Sequence, residues 1–188
     1  MCEIERPSPI SFPELSDQDM WEKNANPNDS NCTAWLRRNV HNLSGFADDY
    51  ACAVRCLADD VQKEPDSRDF TIIPILYLIR HSLELRIKNL LQLLNHRQIK
   101  THDLKCLWNE FGQAYNGDKS NPSYKNADRL ILMFGKLDNN GEIYRYPMTH
   151  DCISTYHIVT IDIENLCSVF SRLNSFLSCL EDELENKE

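Results

Sequence analysis

Residues 77–91 read YLIRHSLELRIKNLL, and the spacing of their apolar residues decides the fold class. At about 100° per residue, Leu76, Ile79, Leu83, Ile87, Leu90 and Leu94 gather within a sector about 80° wide, which predicts the buried face of an α-helix. Beside that sector, between about +40° and +100° from Arg80, fall Glu84, Tyr77, Lys88 and His81, and beyond them Leu85 and Leu78 form a second apolar patch. A polar stripe with apolar surface on both flanks does not read as a plain solvent face. It should line a groove, a subunit interface or a half-buried ion-pair network.

The same helical period extends outward. Leu36, Val40, Leu43, Ala47, Tyr50, Val54, Leu57 and Val61 recur at three- and four-residue steps after a cap at Asp29 or Ser30, and Pro65 stops that helix. The second helix is expected over 70–96. A short third opens near Thr101 or His102 and carries Leu104, Leu107, Trp108 and Phe111 on one face. A fourth covers 123–137 with Leu130, Met133, Phe134 and Leu137 inward, and Asp138-Asn139-Asn140-Gly141 is a strong turn. The stretch GEIYRYPMTHDC is expected to be irregular, because Pro147 cannot continue a helix. The last helix starts near Asp162, a cap candidate, and places Ile163, Leu166, Phe170, Leu173, Leu177, Leu180 and Leu184 on one stripe. The fold class is therefore all-α, a bundle of about five helices over 29–185, preceded by an extended N-terminal arm over 1–28 that contains Pro7, Pro9, Pro13 and Pro27.

Bulk properties fit one folded domain. The chain has 188 residues, 41% hydrophobic and 26% charged, with only 5 glycines and no regularly spaced β-type runs. A net charge of −9 disfavours broad attraction to nucleic acid and leaves room only for a local basic pocket. The apolar run over 71–94 is broken by Arg80, His81, Glu84, Arg86 and Lys88, so no membrane partner is expected. The opening MCEIERPSPISFPEL lacks the basic start and apolar middle of a signal peptide, and the expected location is cytoplasmic. The 8 cysteines contain no Cys-x-x-Cys pair, and no His-Glu-x-x-His run is present. No metal or other cofactor is expected, and the thiols read as reduced, small core residues.

Three clusters carry candidate chemistry. Arg80, His81, Glu84 and Lys88 can form a network along one helix, with Arg80 to Glu84 and Glu84 to Lys88 each four residues apart. In one reading Glu84 simply balances two cations and His81 completes the network. In the other, Glu84 orients Arg80 as an electrostatic clamp and His81 as a general acid or base at a phosphate, which makes Arg80, His81 and Glu84 the catalytic candidates. His102 and Asp103 stand at the positive end of the third helix, where an anion could bind, or where Thr101 or Asp103 is only a cap and His102 a surface residue. Arg145 and Tyr146 lie in a turn that can fold back over the groove, and together with Lys88, His102 and Asp103 they are the substrate-binding candidates.

The succession RHSLELRIKNLL, THDLKCLW, LDNNGEIYRYP and IDIENLCSVF resembles a branch of the HEPN superfamily of small all-helical prokaryotic domains, over roughly residues 70–180. The resemblance implies an up-and-down bundle that forms a homodimer. It also implies a metal-independent endoribonuclease of a toxin or antiphage defence system, in which an Arg and a His from each subunit meet RNA. The family's nuclease signature, an Arg and a His with four to six residues between them, is matched at Arg97–His102 and Arg145–His150, whereas Arg80 and His81 are adjacent. A noncatalytic HEPN-like module that binds a nucleotide or a protein partner, such as an antitoxin or a defence-system subunit, stands beside the nuclease.

Overall fold

Asn42 opens the first helix. Its side chain accepts a hydrogen bond from the Gly45 amide, filling one of the donors a helix start leaves orphaned, and α1 runs Leu43–Lys63. The computed structural model describes residues 42–94, 100–146 and 160–186, all within one unit that spans 39–188. The helix expected to run unbroken from a cap at Asp29 or Ser30 does not, because Asn42 caps α1 in extended backbone; positions 29 and 30 themselves and the arm over 1–28 lie outside the described residues. A 3-10 turn at Pro65–Ser67 leads into α2, Arg68–Leu93. After it come α3, Leu104–Ala114, and α4, Pro122–Leu137. The last is α5, Ile163–Glu185, whose cap Asp162 accepts from the Asn165 amide. The described residues thus form an all-α bundle of five helices, and no described helix is long and apolar enough to cross a membrane.

α2 is the axis of the bundle and packs against α1, α3 and α5, while α4 bridges α3 and α5. Its expected core face is buried: Ile79, Leu83, Ile87 and Leu90 have no exposed surface, and Leu76 nearly none. Each such side chain contributes about 1.5–3 kcal/mol relative to exposure. The α3 face of Leu104, Leu107, Trp108 and Phe111 is also buried. Trp108, Phe111, Tyr115 and Tyr124 stack in a row between α3 and α4, with ring centroids 5.2–5.8 Å apart. The indole Nε1 donates to Asp128 Oδ1 at 2.9 Å, so the buried indole N–H is satisfied.

Two inward assignments change. Met133 and Leu137 on α4 are each 38% exposed, because that edge of the helix faces away from α3. Among the described cysteines, Cys52, Cys56, Cys106 and Cys179 are exposed and do not act as core residues, whereas Cys167 is half-buried and packs against the core.

Arg86, which in the sequence only interrupts an apolar run, is 1% exposed. Its guanidinium joins three helices. It pairs with Asp48 of α1 and with Glu181 Oε2 of α5 at 2.6 Å, and also donates to Ser44 Oγ at 2.7 Å and to Asn174 Oδ1 at 3.3 Å. Asn89 Nδ2 donates to the other Glu181 oxygen at 3.0 Å. Removing one member of a buried pair leaves the other charge without compensation. Glu181→Ala is therefore expected to cost about 3–5 kcal/mol in urea denaturation. Asp60→Ala, which removes only an exposed pair with Lys63, should stay within about 0.5 kcal/mol. Equal losses would contradict the tie between helices.

Candidate functional site

The polar stripe of α2 meets two loops, the one before α3 and the one after α4. Arg80 is 2% exposed, and its fork is directed at main chain. Nε donates to the Asp138 carbonyl at 2.7 Å, and Nη2 donates to the Asn139 carbonyl at 2.7 Å and to the His102 carbonyl. Nη1 donates to Glu84 Oε2 at 3.1 Å. Four of the five N–H donors of a guanidinium are thus engaged, and the side chain clasps both loops to α2. That commitment removes Arg80 as a free phosphate clamp, and its place in the site is to position the loops.

The turn predicted at 138–141 is the loop that Arg80 holds. Gly141 has φ 73°, in the left-handed region where a side chain would be strained, and the Glu142 amide donates to Asp138 Oδ1 at 3.0 Å. Asn139 locks this loop to α3. Its carbonyl accepts from the Leu104 amide at 3.0 Å, its Oδ1 accepts from the Lys105 amide at 3.3 Å, and its Nδ2 donates to Asp103 Oδ2 at 2.5 Å. Asp103 is the N-cap of α3, its Oδ1 accepting from the Cys106 amide at 2.7 Å. The first-turn amides of α3 are therefore occupied, and no anion site opens there. Asp103 is a cap and a loop tie rather than a substrate ligand.

Glu84 gathers three cations or potential cations. Oε1 accepts from Lys88 Nζ at 2.7 Å and lies 2.8 Å from His102 Nδ1, while Oε2 faces Arg80. Burial opposes ionisation of Glu84, but Lys88, Arg80 and His102 outweigh it and hold the carboxyl below its ordinary value. The partner that completes this network is His102, from 18 residues along the chain, and not His81. The His102 side chain is 67% exposed, so with Nδ1 turned to the carboxylate its Nε2 is the nitrogen left for chemistry.

His81 sits between two tyrosines. Its ring stacks on Tyr77 at 5.8 Å with an interplanar angle of 5°, and meets Tyr50 edge-on at 4.7 Å and 79°. Neither ring nitrogen has a hydrogen-bond partner among the described residues. Burial lowers its pKa from 6.5, with Arg80 and Lys88 adding to the effect and Glu84 opposing it. A cavity of about 70 Å³ is lined by Tyr77, Arg80, His81, Glu84, His102 and Arg145, together with Asn140 and Gly141. Arg145 is exposed, donates through Nε to the Gly141 carbonyl, and lies over the Tyr146 ring at 5.4 Å. Tyr146 is 56% exposed and does not line the cavity. The structure thus brings Arg80, His81, Glu84, His102 and Arg145 around one small space, with Lys88 bonded to its wall.

The sequence reading missed Tyr50, Asn139 and the main-chain carbonyls that Arg80 grips. Carbonyl acceptors leave no side-chain signature, although the Asp-Asn-Asn-Gly turn marked their place. Arg97 and His150, members of the two spaced Arg-His pairs, lie outside the described residues. Among the described residues no group of three or more His, Cys, Asp or Glu is placed to hold a metal ion. No family model matches the chain, and neither curated proteins nor solved structures give a significant match.

His81 binds its proton more weakly folded than unfolded, so protonation favours the unfolded chain. Its contribution is fully present above about pH 6.5 and stability falls as pH drops through that value, until the folded ring itself is protonated. His81→Phe keeps a ring between the tyrosines but cannot titrate. The fall in melting temperature from pH 7.5 to 5.5 is expected to be smaller in that variant than in the wild type.

Proposed function

We propose that the cavity between α2 and the two clasped loops cleaves RNA phosphodiesters without a metal. The observation that carries this reading is that two unlike imidazoles line the same cavity. His81 is uncommitted and biased toward the neutral form, whereas His102 is oriented by Glu84. In this mechanism His81 takes the proton from the RNA 2′-hydroxyl, and the resulting oxygen attacks the adjacent phosphorus. The bond to the 5′-oxygen breaks, and His102 Nε2 delivers a proton to that leaving group while Glu84 stabilises the imidazolium. The products are a 2′,3′-cyclic phosphate and a 5′-hydroxyl. Arg145, whose terminal guanidinium nitrogens have no hydrogen-bond partner among the described residues, supplies the charge opposite the pentavalent phosphate. Arg80 and Lys88 act through Glu84 and the loops.

The reading agrees with the likeness of the chain to HEPN domains. It carries with it a homodimer and a place in toxin or antiphage defence. A second reading, a noncatalytic HEPN-like module that binds a partner protein or a nucleotide, is favoured by one observation. The arginine expected to clamp phosphate spends its donors on main chain.

Incubating the full chain with total RNA in excess EDTA separates the two. Cleavage leaving cyclic phosphate ends is expected, slowed about 10²–10⁴-fold in His81→Ala and in His102→Ala. Arg145→Ala should slow it about 10²-fold with little change in melting temperature. Absence of cleavage by well-folded wild type would favour the binding module, and full activity in His102→Ala would remove the dyad from the mechanism.

A further inference from the structure

A different face of the bundle carries a second concavity. Between the first half of α4 and the middle of α5 lies a cavity of about 360 Å³, within the range of about 300–1,000 Å³ typical of small-ligand sites. Its floor is apolar, made by Leu130, Leu173 and Phe176 with Ala127 and Val169. Two arginines line it, Arg129 from α4 and Arg172 from α5, and none of the lining residues is acidic.

Those arginines stand apart in a chain with 29 acidic residues. The positions three and four residues away from Arg129 are Lys125, Asn126, Leu132 and Met133. For Arg172 they are Ser168, Val169, Ser175 and Phe176, so neither helix offers its arginine a carboxylate. Among the described residues Arg129 has no hydrogen bond or ion pair, and Arg172 has only a 3.4 Å bond from Nε to the Ser168 carbonyl of its own helix. Both are exposed. Arg86 and Arg80, in contrast, each make four hydrogen bonds and an ion pair with a carboxylate. Two unengaged guanidinium forks over an apolar floor ask for a ligand with a planar or tetrahedral anion at one end and a flat apolar body at the other.

We propose that this α4–α5 groove binds an organic phosphate of mononucleotide size. The phosphate lies between Arg129 and Arg172, and the base lies against Leu130, Leu173 and Phe176. Asn126 and Ser123 at the rim offer hydrogen-bonding groups to the sugar or base edge. The assignment does not rest on RNA cleavage and stands or falls separately from it.

The test is titration of the full chain with adenosine 5′-monophosphate, followed by backbone amide NMR. Saturable shifts are expected at Arg129, Leu130, Arg172 and Phe176, and R129Q/R172Q should weaken binding at least about tenfold, since it removes both charge-assisted contacts. Adenosine without phosphate should bind correspondingly less well. Both substitutions are on exposed side chains, so the variant's melting temperature should match the wild type. Binding undiminished in R129Q/R172Q, shifts confined to residues around His81, His102 and Arg145, or no saturable shift would each overturn the assignment.

Discussion

The architecture around the candidate site depends on one guanidinium. Arg80 reaches from the central helix to three main-chain carbonyls, those of His102, Asp138 and Asn139, which belong to two loops far apart in sequence. A side chain can hold a loop by its carbonyls regardless of the loop's own residues, and a planar fork does so in a fixed geometry. Burying that charge requires compensation, and Glu84, one turn along α2, supplies it at 3.1 Å. Once Glu84 is fixed there, its second oxygen is available to Lys88 and His102, and the imidazole is set at the mouth of a cavity. The clasp therefore precedes the site: what positions the loops also positions the groups that can act.

α2 carries two such knots on different faces. Arg80 with Glu84 ties the helix to loops and leaves titratable groups next to solvent. Arg86 with Glu181 ties it to α1 and α5 and is enclosed by Ser44, Asn89 and Asn174, with no cavity opening onto a histidine. Burial pushes the Glu181 carboxyl up against the pull of Arg86, whereas the cations around Glu84 hold that carboxyl down. The two carboxylates differ by the number of positive groups each meets. The first knot has the chemistry of a site, and the second that of a fastener.

The fold was legible because apolar spacing survives translation into burial. Leu83 and Ile87 on α2, Leu107 and Phe111 on α3, and Leu173 and Leu177 on α5 are all buried where helical periodicity placed them. The cap at Asp162 was equally readable, since a short acceptor before an apolar period has few other uses, whereas two short acceptors, Thr101 and Asp103, precede α3 and only the structure chooses Asp103. The site was only half legible. The stripe of Arg80, His81, Glu84 and Lys88 gave its position on α2, but the choice between His81 and His102 as the partner of Glu84 depends on a loop path that no local pattern encodes. Arg86 was unreadable for the same reason: at about −120° from Arg80 it sits at the edge of the core sector, and only the arrival of α5 decides that it is enclosed.

Native-state hydrogen exchange of Arg80→Lys against the wild type tests the clasp most directly. The amides of Leu104, Lys105 and Glu142, which are bonded within and between the two loops, report it, and the amides of Leu83 and Ile87 report the bundle. Lysine retains the charge but cannot reach three carbonyls with a planar fork. The clasp predicts that the loop amides lose protection in the variant by far more than the α2 amides do. Loop protection that falls only in step with that of α2 would show that the loops are held by their own hydrogen bonds, and would contradict the dependence of the site on Arg80.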